Sequence, residues 1–412
     1  MKLTKKILAV VLSVLFVVGC FAGCSSSSES GTADNEAAAN IKVGFIFLHD
    51  ENSTYDLNFI KAADEACEAL GIKEENKIFK TNVPEGQECF EAAEDLVDQG
   101  CTFIFADSFG HEDYMIEAAK KYPNVQFCHA TGTKAHTENL PNFHNAFASI
   151  YDGRYLAGIA AGMKLNEMIK DGKITAEQAI IGYVGAFTYA EVISGMTSFF
   201  LGARSVCPTA TMKVRYTGSW YDQAKEQEAA TALIEKDKCV LISQHADSLG
   251  APTACELAGV PNVSYNGSTY SAGESTFIVS SAINWAPYFQ YIIEQTVKGE
   301  AIDTDWTGTI ATNSVVISGV NLDACAEGTV EALNKAVAEF KAGTLHVFDT
   351  SKFTVEGKNL TEYLVDFDGD SKGETNVIHD GYFDESNAKD FRSAPYFDII
   401  IDGVENLNTN FG

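Results

Sequence analysis

The chain of 412 residues carries 57 acidic against 29 basic side chains, a formal net charge of −28. That charge excludes binding to nucleic acid, whose phosphates need Lys and Arg, and suits a soluble exported protein held off an anionic surface. Without the first 40 residues, 412 − 40 = 372 remain, enough for two domains with sizeable cores.

Lys2, Lys5 and Lys6 open a positive region, and an apolar run over residues 7–18, broken only by Ser13, follows. The run is shorter than the ~20 apolar residues a membrane span needs. Ala22 and Gly23 precede Cys24, and four serines follow it. This marks residues 1–23 as a secretory signal peptide. The small residues before a cysteine resemble a bacterial lipobox, in which Cys24 becomes a lipidated N-terminus; Cys20 is the competing site. Residues 24–40 are small, polar and acidic, and are expected to form a flexible tether.

A continuous apolar strand is expected over residues 41–48, a polar loop containing Tyr55 over 49–58, and a helix over 59–70. A short strand at 77–81, the turn Val83-Pro84-Glu85-Gly86 and a helix at 87–98 follow, the helix with Phe90, Ala93, Leu96 and Val97 on one face. Then come a strand at 102–105, the loop Ala106-Asp107-Ser108-Phe109-Gly110, a helix at 112–121, and a strand at 125–128 leading into His129. Strands alternating with helices predict a parallel, doubly wound α/β sheet.

A helix rich in Gly and Ala is expected over residues 151–165, after which the pattern restarts. Gly44 and Gly182, Cys101 and Cys239, and Pro123 and Pro261 are each 138 residues apart, and Asp107 and Asp247 are 140 apart. Four matches in order at nearly one spacing predict two lobes of the same topology. Lobe 1 is expected over residues 41–148, completed by about 284–312; lobe 2 over 149–283, completed by about 313–345. Later elements are a strand at 277–283, a helix at 287–298, a strand at 315–317 and an amphipathic helix at 322–341. Residues 346–412 read as an irregular extension packed on the body.

The eight cysteines of the body form no CxxC pair and no zinc spacing, and read as small buried hydrophobes. No GxSxG, P-loop, GxGxxG or HExxH motif is present, so no enzyme, cofactor or metal is expected. The acidic run from Asp366 to Glu374 lacks EF-hand spacing and reads as a turn.

In doubly wound sheets ligands sit at the carboxyl ends of the strands. That rule selects the loops at residues 49–55, 107–110, 129–131, 187–191, 220–222, 245–248 and 265–268. From these and the hinge, the candidate ligand-binding residues are Tyr55, Asp107, Ser108, Phe109, Phe187, Glu191, Trp220, Asp222, His245, Asp247, Asn266 and Trp285. Aromatic faces with carboxyl, amide and hydroxyl groups and few cations suit a neutral heteroaromatic ligand. Each residue also has a plainer use: Asp107 and Asp247 as helix caps, Phe109 and Phe187 as core.

Several phrases together resemble the basic membrane protein family, the purine-nucleoside-receptor-like substrate-binding lipoproteins of ABC importers. They include Asn82-Val83-Pro84-Glu85-Gly86, Gly153-Arg154-Tyr155-Leu156-Ala157-Gly158, Ser219-Trp220-Tyr221-Asp222 and His245-Ala246-Asp247-Ser248. The resemblance implies a type I periplasmic-binding-protein fold, two Rossmann-like lobes closing on a purine base or nucleoside. It also implies an ABC permease and ATPase as partners, and a lipid-anchored, extracytoplasmic monomer. Tyr55 becomes the candidate stacking aromatic of the first loop. Where nucleoside-binding members place an Asp after the late lobe-2 strand, this chain has Asn266, which favours a free base. The alternative is a sensory receptor of the same fold signalling to a kinase or chemoreceptor, or an importer component for another small heteroaromatic or sugar-like ligand.

Overall fold

The computed structural model describes residues 40–367, 372–373, 375–385 and 392–408. The signal peptide, Cys24, the tether up to its last residue and most of the acidic run that starts at Asp366 lie outside the described residues.

The first lobe runs β1 (Lys42–Ile46), α1 (Thr54–Ala69), β2 (Lys77–Lys80), α2 (Gln87–Asp98), β3 (Cys101–Ala106), α3 (Glu112–Lys121), β4 (Gln126–Ala130), α4 (Ala135–Glu138) and β5 (Phe143–Ala148). The second runs α5 (Ile150–Lys170), β6 (Ile180–Gly185), α6 (Ala190–Val206), β7 (Thr211–Tyr216), α7 (Gln223–Glu235), β8 (Leu241–His245), α8 (Gly250–Ala258), β9 (Asn262–Tyr265) and β10 (Phe277–Ile283). Then follow α9 (Ala286–Lys298), β11 (Asp305–Gly308), β12 (Val315–Val320) and α10 (Thr329–Lys341). The later strands are short: β13 (Leu364–Val365), β14 (Thr375–Asn376), β15 (Ile378–His379), β16 (Tyr382–Phe383) and β17 (Val404–Asn406).

Sheet 1 has the order β11-β5-β4-β3-β1-β2 and sheet 2 the order β12-β10-β9-β8-β6-β7-β17. All neighbours are parallel except β10 and β12. Within each, the strands that repeat follow one doubly wound order, β2-β1-β3-β4-β5 and β7-β6-β8-β9-β10. The reversal of order at β1/β3 and β6/β8 opens a crevice at the carboxyl ends of those strands.

The repeated glycine has one cause in both lobes. Gly44 pairs with Ile104 and Gly182 with Ile242, a shared spacing of 138. A Cβ on Gly44 would meet Leu96 of α2 at 2.8 Å, and one on Gly182 would meet Leu233 of α7 at 3.1 Å. In both lobes the missing side chain lets a helix seat on the central strand. The proline match has no such basis. Ile104 pairs with Phe127 but Ile242 with Asn262, so β4 and β9 correspond at 262 − 127 = 135.

Some expected boundaries move. Helix α1 begins at Thr54, so Tyr55 lies on its first turn and not in a loop. Ser53 caps it, accepting from the Asp56 N–H at 3.2 Å. The helix expected from residue 322 begins at Thr329, because Gly328 at φ 81° and the turn on Asn321, which accepts from Ala324 and Cys325, precede it. The extension is mostly irregular, yet β17 adds a parallel strand beside β7. Upstream of it, Ser393 donates from both its N–H and its hydroxyl to Asp305 on sheet 1 at 2.9 Å.

The chain passes between the sheets after β5, after β10 and between β11 and β12. At the first passage α5 lies against α6 almost backbone to backbone. A Cβ on Gly158 would stand 2.0 Å from the Phe199 carbonyl oxygen, and one on Gly202 2.1 Å from that of Tyr155. All eight cysteines of the body are free and seven are buried. Among the described residues, no helix is long and apolar enough to cross a membrane.

Gly158→Ala tests the helix contact. Helix propensity alone favours Ala by about 1 kcal/mol, whereas overpacking against a carbonyl costs about 1–3 kcal/mol. Urea unfolding should show a net loss of stability, and a gain would refute the close approach.

Candidate functional site

Between the carboxyl ends of the two sheets, the place where doubly wound folds take ligands, lies a narrow cavity. Leu48, His49, Tyr55, Asp56, Ser108, Phe109 and Thr131 line it from lobe 1. Glu191, Trp220, His245, Asp247 and Tyr265 line it from lobe 2. No Lys or Arg is among them.

Each wall follows from local structure. Beyond β1, the Leu48 N–H donates to Asp107 Oδ1 at 3.1 Å and the His49 N–H to Asp56 at 2.7 Å. The capping Ser53 hydroxyl donates to Asp56 at 2.5 Å, and the Tyr55 hydroxyl to the Asp107 carbonyl at 2.8 Å. Burial, then the charge of Asp56, pushes the Asp107 carboxyl well above the usual range. Burial also acts on Asp56, but its hydrogen bonds from His49 and Ser53 prevail and hold it low. Two carboxyls in one dry site do not both ionise cheaply, so the two shifts run in opposite directions.

The turn that contains Glu85 fixes the next loop. Glu85 Oε1 accepts from the Ser108 hydroxyl at 2.6 Å and the Gly110 N–H at 2.9 Å. This presents the Phe109 ring across the cleft to Tyr189, centroids 5.2 Å apart. Tyr189 stacks on Phe187 at 5.1 Å, and Phe187 meets Trp220 edge-on at 4.9 Å. Four aromatic rings thus form one wall from both lobes.

Polar contacts latch the lobes. The Asp247 carbonyl accepts from the Thr54 N–H at 3.1 Å, and the Asn266 carbonyl from the Asn58 amide at 2.9 Å. Burial, then the charges of Asp56, Glu226 and Glu191, pushes the Asp247 carboxyl up. His245 is lowered by burial, which outweighs Glu191 3.6 Å away, a separation too long for a hydrogen bond.

Thr131 and Asn266 are the first residues past β4 and β9 and so correspond between lobes. Both turn into the left-handed region, at φ 65° and 63°. For a β-branched threonine that is a strained conformation, of the kind that clusters at ligand sites. The two aim polar groups inward: Thr131 Oγ1 and Asn266 Nδ2 are buried without a hydrogen-bond partner. So are Asp107 Oδ2, both His245 ring nitrogens and the Tyr265 hydroxyl. Beneath them, buried Arg154 donates to the Ser264 carbonyl at 2.9 Å and the Ser243 hydroxyl at 2.7 Å, holding the ends of β8 and β9.

The structure brings together Tyr55, Ser108, Phe109, Glu191, Trp220, His245 and Asp247 around the cavity. Asp107 and Asn266 stand directly behind the lining, and Phe187 backs Trp220. Asp222 instead caps α7, accepting from the Lys225 N–H at 3.0 Å. Trp285 is 1% exposed and stacks on Phe59 at 4.5 Å in the lobe-1 core, because the α9 face it precedes packs on α1. Leu48 and Asp56 fall one residue outside the loop expected at 49–55. The Ser53-to-Asp56 cap spacing was the signal for the latter.

A family model described as "ABC transporter substrate-binding protein PnrA-like" matches residues 45–349. The chain is 34% identical over 279 residues to a purine-binding protein of Brucella abortus, covering 66% of this chain and 73% of that one. It is 32% identical over 268 residues to a Haloferax volcanii protein provisionally named an ABC transporter glucose-binding protein, covering 65% and 61%. A solved ABC transporter solute-binding protein from Conexibacter woesei matches with a TM-score of 0.59 at 19% identity, covering 74% of this chain and 98% of that one.

His111, buried behind Asp107, bonds the Val83 carbonyl through Nε2 at 3.0 Å, and burial pushes its pKa down to about 4. It is neutral in the fold and takes up a proton on unfolding below 6.5. Its contribution is therefore lost as pH falls from about 6.5 to about 4, by up to about 3 kcal/mol at ~1.36 kcal/mol per unit. His111→Gln should flatten the pH dependence of the unfolding free energy in that window; parallel curves would refute a buried neutral imidazole.

Proposed function

We propose, from the premise that this chain belongs to the PnrA-like family of ABC transporter substrate-binding proteins, that it captures a purine base or nucleoside for import. The observation that carries this reading is the aromatic, cation-free cavity with unpartnered polar atoms from both lobes. Phe109 and Trp220 supply ring faces for a flat heterocycle. Carboxyl, hydroxyl and imidazole groups meet its ring N–H and ring nitrogen atoms. The name of the Brucella relative supports a purine. With Asn266 in place of a carboxylate at the strand end, a free base is the preferred ligand. Nucleotides are disfavoured, since a phosphate would face Asp56, Asp247 and Glu191 without a Lys or Arg.

Contacts made only when the lobes meet supply the free energy of closure. The closed form would then dock on the permease, with its ATPase, from the extracytoplasmic side. In this reading Cys24 carries the lipid anchor, residues 24–40 form the tether, and the protein acts as a monomer. A sugar ligand is the second reading, favoured by the Haloferax relative's name and the carboxyl-rich lining.

Titration calorimetry with adenine, hypoxanthine, adenosine, AMP and glucose decides between them. Saturable heat with a base and none with AMP is expected; heat with glucose alone would favour the sugar. Phe109→Ala and Trp220→Ala should each weaken base binding roughly 5- to 150-fold, the equivalent of ~1–3 kcal/mol of stacking. Cys24→Ala should shift the protein from the membrane fraction to the medium; unchanged fractionation would point to Cys20 or to no anchor.

A further inference from the structure

A second cavity, of about 310 Å³, opens at the hinge and shares no lining residue with the first. Three segments build it. Ser149, Tyr151 and Asp152 come from the first passage between lobes, Thr309 to Ala311 from the β11–β12 passage, and the rest from the last turn of α10 and the chain after it. Three acidic residues line it: the half-buried Asp152, Asp384 and the buried Glu385. Glu385 is 2% exposed; its Oε2 accepts from the Phe397 N–H at 2.9 Å, while its Oε1 has no hydrogen-bond partner. Among the described residues, neither Asp152 nor Glu385 is in an ion pair. The Arg392 guanidinium, whose charge acts on Glu385 without pairing with it, bonds the carbonyls of Ala394 and Pro395. Aromatic side chains form the remaining wall: Tyr151 lies against Phe348 at 5.6 Å, and the exposed His346 stacks flat on Tyr382 at 3.9 Å.

A buried carboxyl with an unpartnered oxygen, such as that of Glu385, is costly unless a countercharge arrives, and aromatic faces attract organic cations. We propose that the hinge cavity is a second ligand site, which takes a small organic cation with an ammonium or amidinium head at Asp152 and Glu385 and an apolar body among Tyr151, Phe348 and Tyr382. Burial raises both carboxyls to about 8, so the arriving cation also ionises them. Because the site is built on two of the passages between lobes, its occupant braces the segments that move when the cleft opens. The proposal is independent of the ligand assigned to the cleft.

Benzamidine serves as the probe and benzamide as its uncharged counterpart, measured by calorimetry on the mature chain. Saturable benzamidine binding is expected, at least 10-fold weaker for benzamide. Asp152→Asn and Glu385→Gln should each weaken it at least 10-fold, while the cleft variant Trp220→Ala binds as wild type does. Tyr382→Ala, at the mouth, gives a further reading if a carboxamide variant fails to fold by circular dichroism, and should also weaken binding. Absence of saturable heat, equal binding of benzamide, unaltered binding by the hinge variants, or loss in Trp220→Ala would overturn the proposal.

Discussion

Closing two parallel sheets over one crevice drives Asp56, Asp107, Asp247 and Glu191 into a space that no Lys or Arg lines. Much of the local structure answers that burden. Asp56 takes a backbone N–H and a capping hydroxyl, and Asp107 a backbone N–H. The buried cation beneath the cleft is withheld: the guanidinium of Arg154 is engaged with carbonyl and hydroxyl oxygens of β8 and β9 and the rings of Phe199 and Tyr265. It shapes the strand ends without neutralising the cleft. A ligand that offers N–H donors and no negative charge relieves the most strain there.

The two lobes contribute differently to the same enclosure. Lobe 1 supplies the hydrogen-bonded carboxyls and one ring, Phe109, held by Glu85. Lobe 2 supplies the aromatic cluster of Phe187, Tyr189 and Trp220. The backbone latches, Thr54 to Asp247 and Asn58 to Asn266, run from the first turns of α1 to the exits of β8 and β9. Ligand recognition and lobe closure therefore use adjoining atoms, which is how binding energy becomes a change of shape.

The repeat was legible because both lobes meet the same steric demand, a helix resting on a central strand, and only Gly satisfies it at residues 44 and 182. The matching of loops was less faithful. Asp107 and Asp247 share a sequence word, but in strand register the residue that corresponds to Asp107 at 138 is His245. Thr131 and Asn266, which do correspond, share no chemistry that a sequence reader would pair. Trp285 illustrates another limit: a large aromatic past a strand suits a core as well as a cleft, and only the packing of α9 on α1 decides. Elements with strong periodicity, such as α2 and α3, were read to the residue, whereas β5 and the cap of α1 depended on neighbours distant in sequence.

The last strand has a meaning apart from binding. Open sheet edges are templates for pairing with other chains. Sheet 1 ends on β2, four residues long with Lys77 and Lys80 at its tips, a charged and short border. The corresponding border of sheet 2, β7, is six residues long and carries Met212, Val214 and Tyr216. It would be an inviting template, and β17 occupies it, with Met212, Lys213 and Val214 paired to Val404, Glu405 and Asn406. The terminal segment thus supplies colloidal protection: a chain truncated before Val404 would keep its cleft and expose a strand on which a second copy could polymerise.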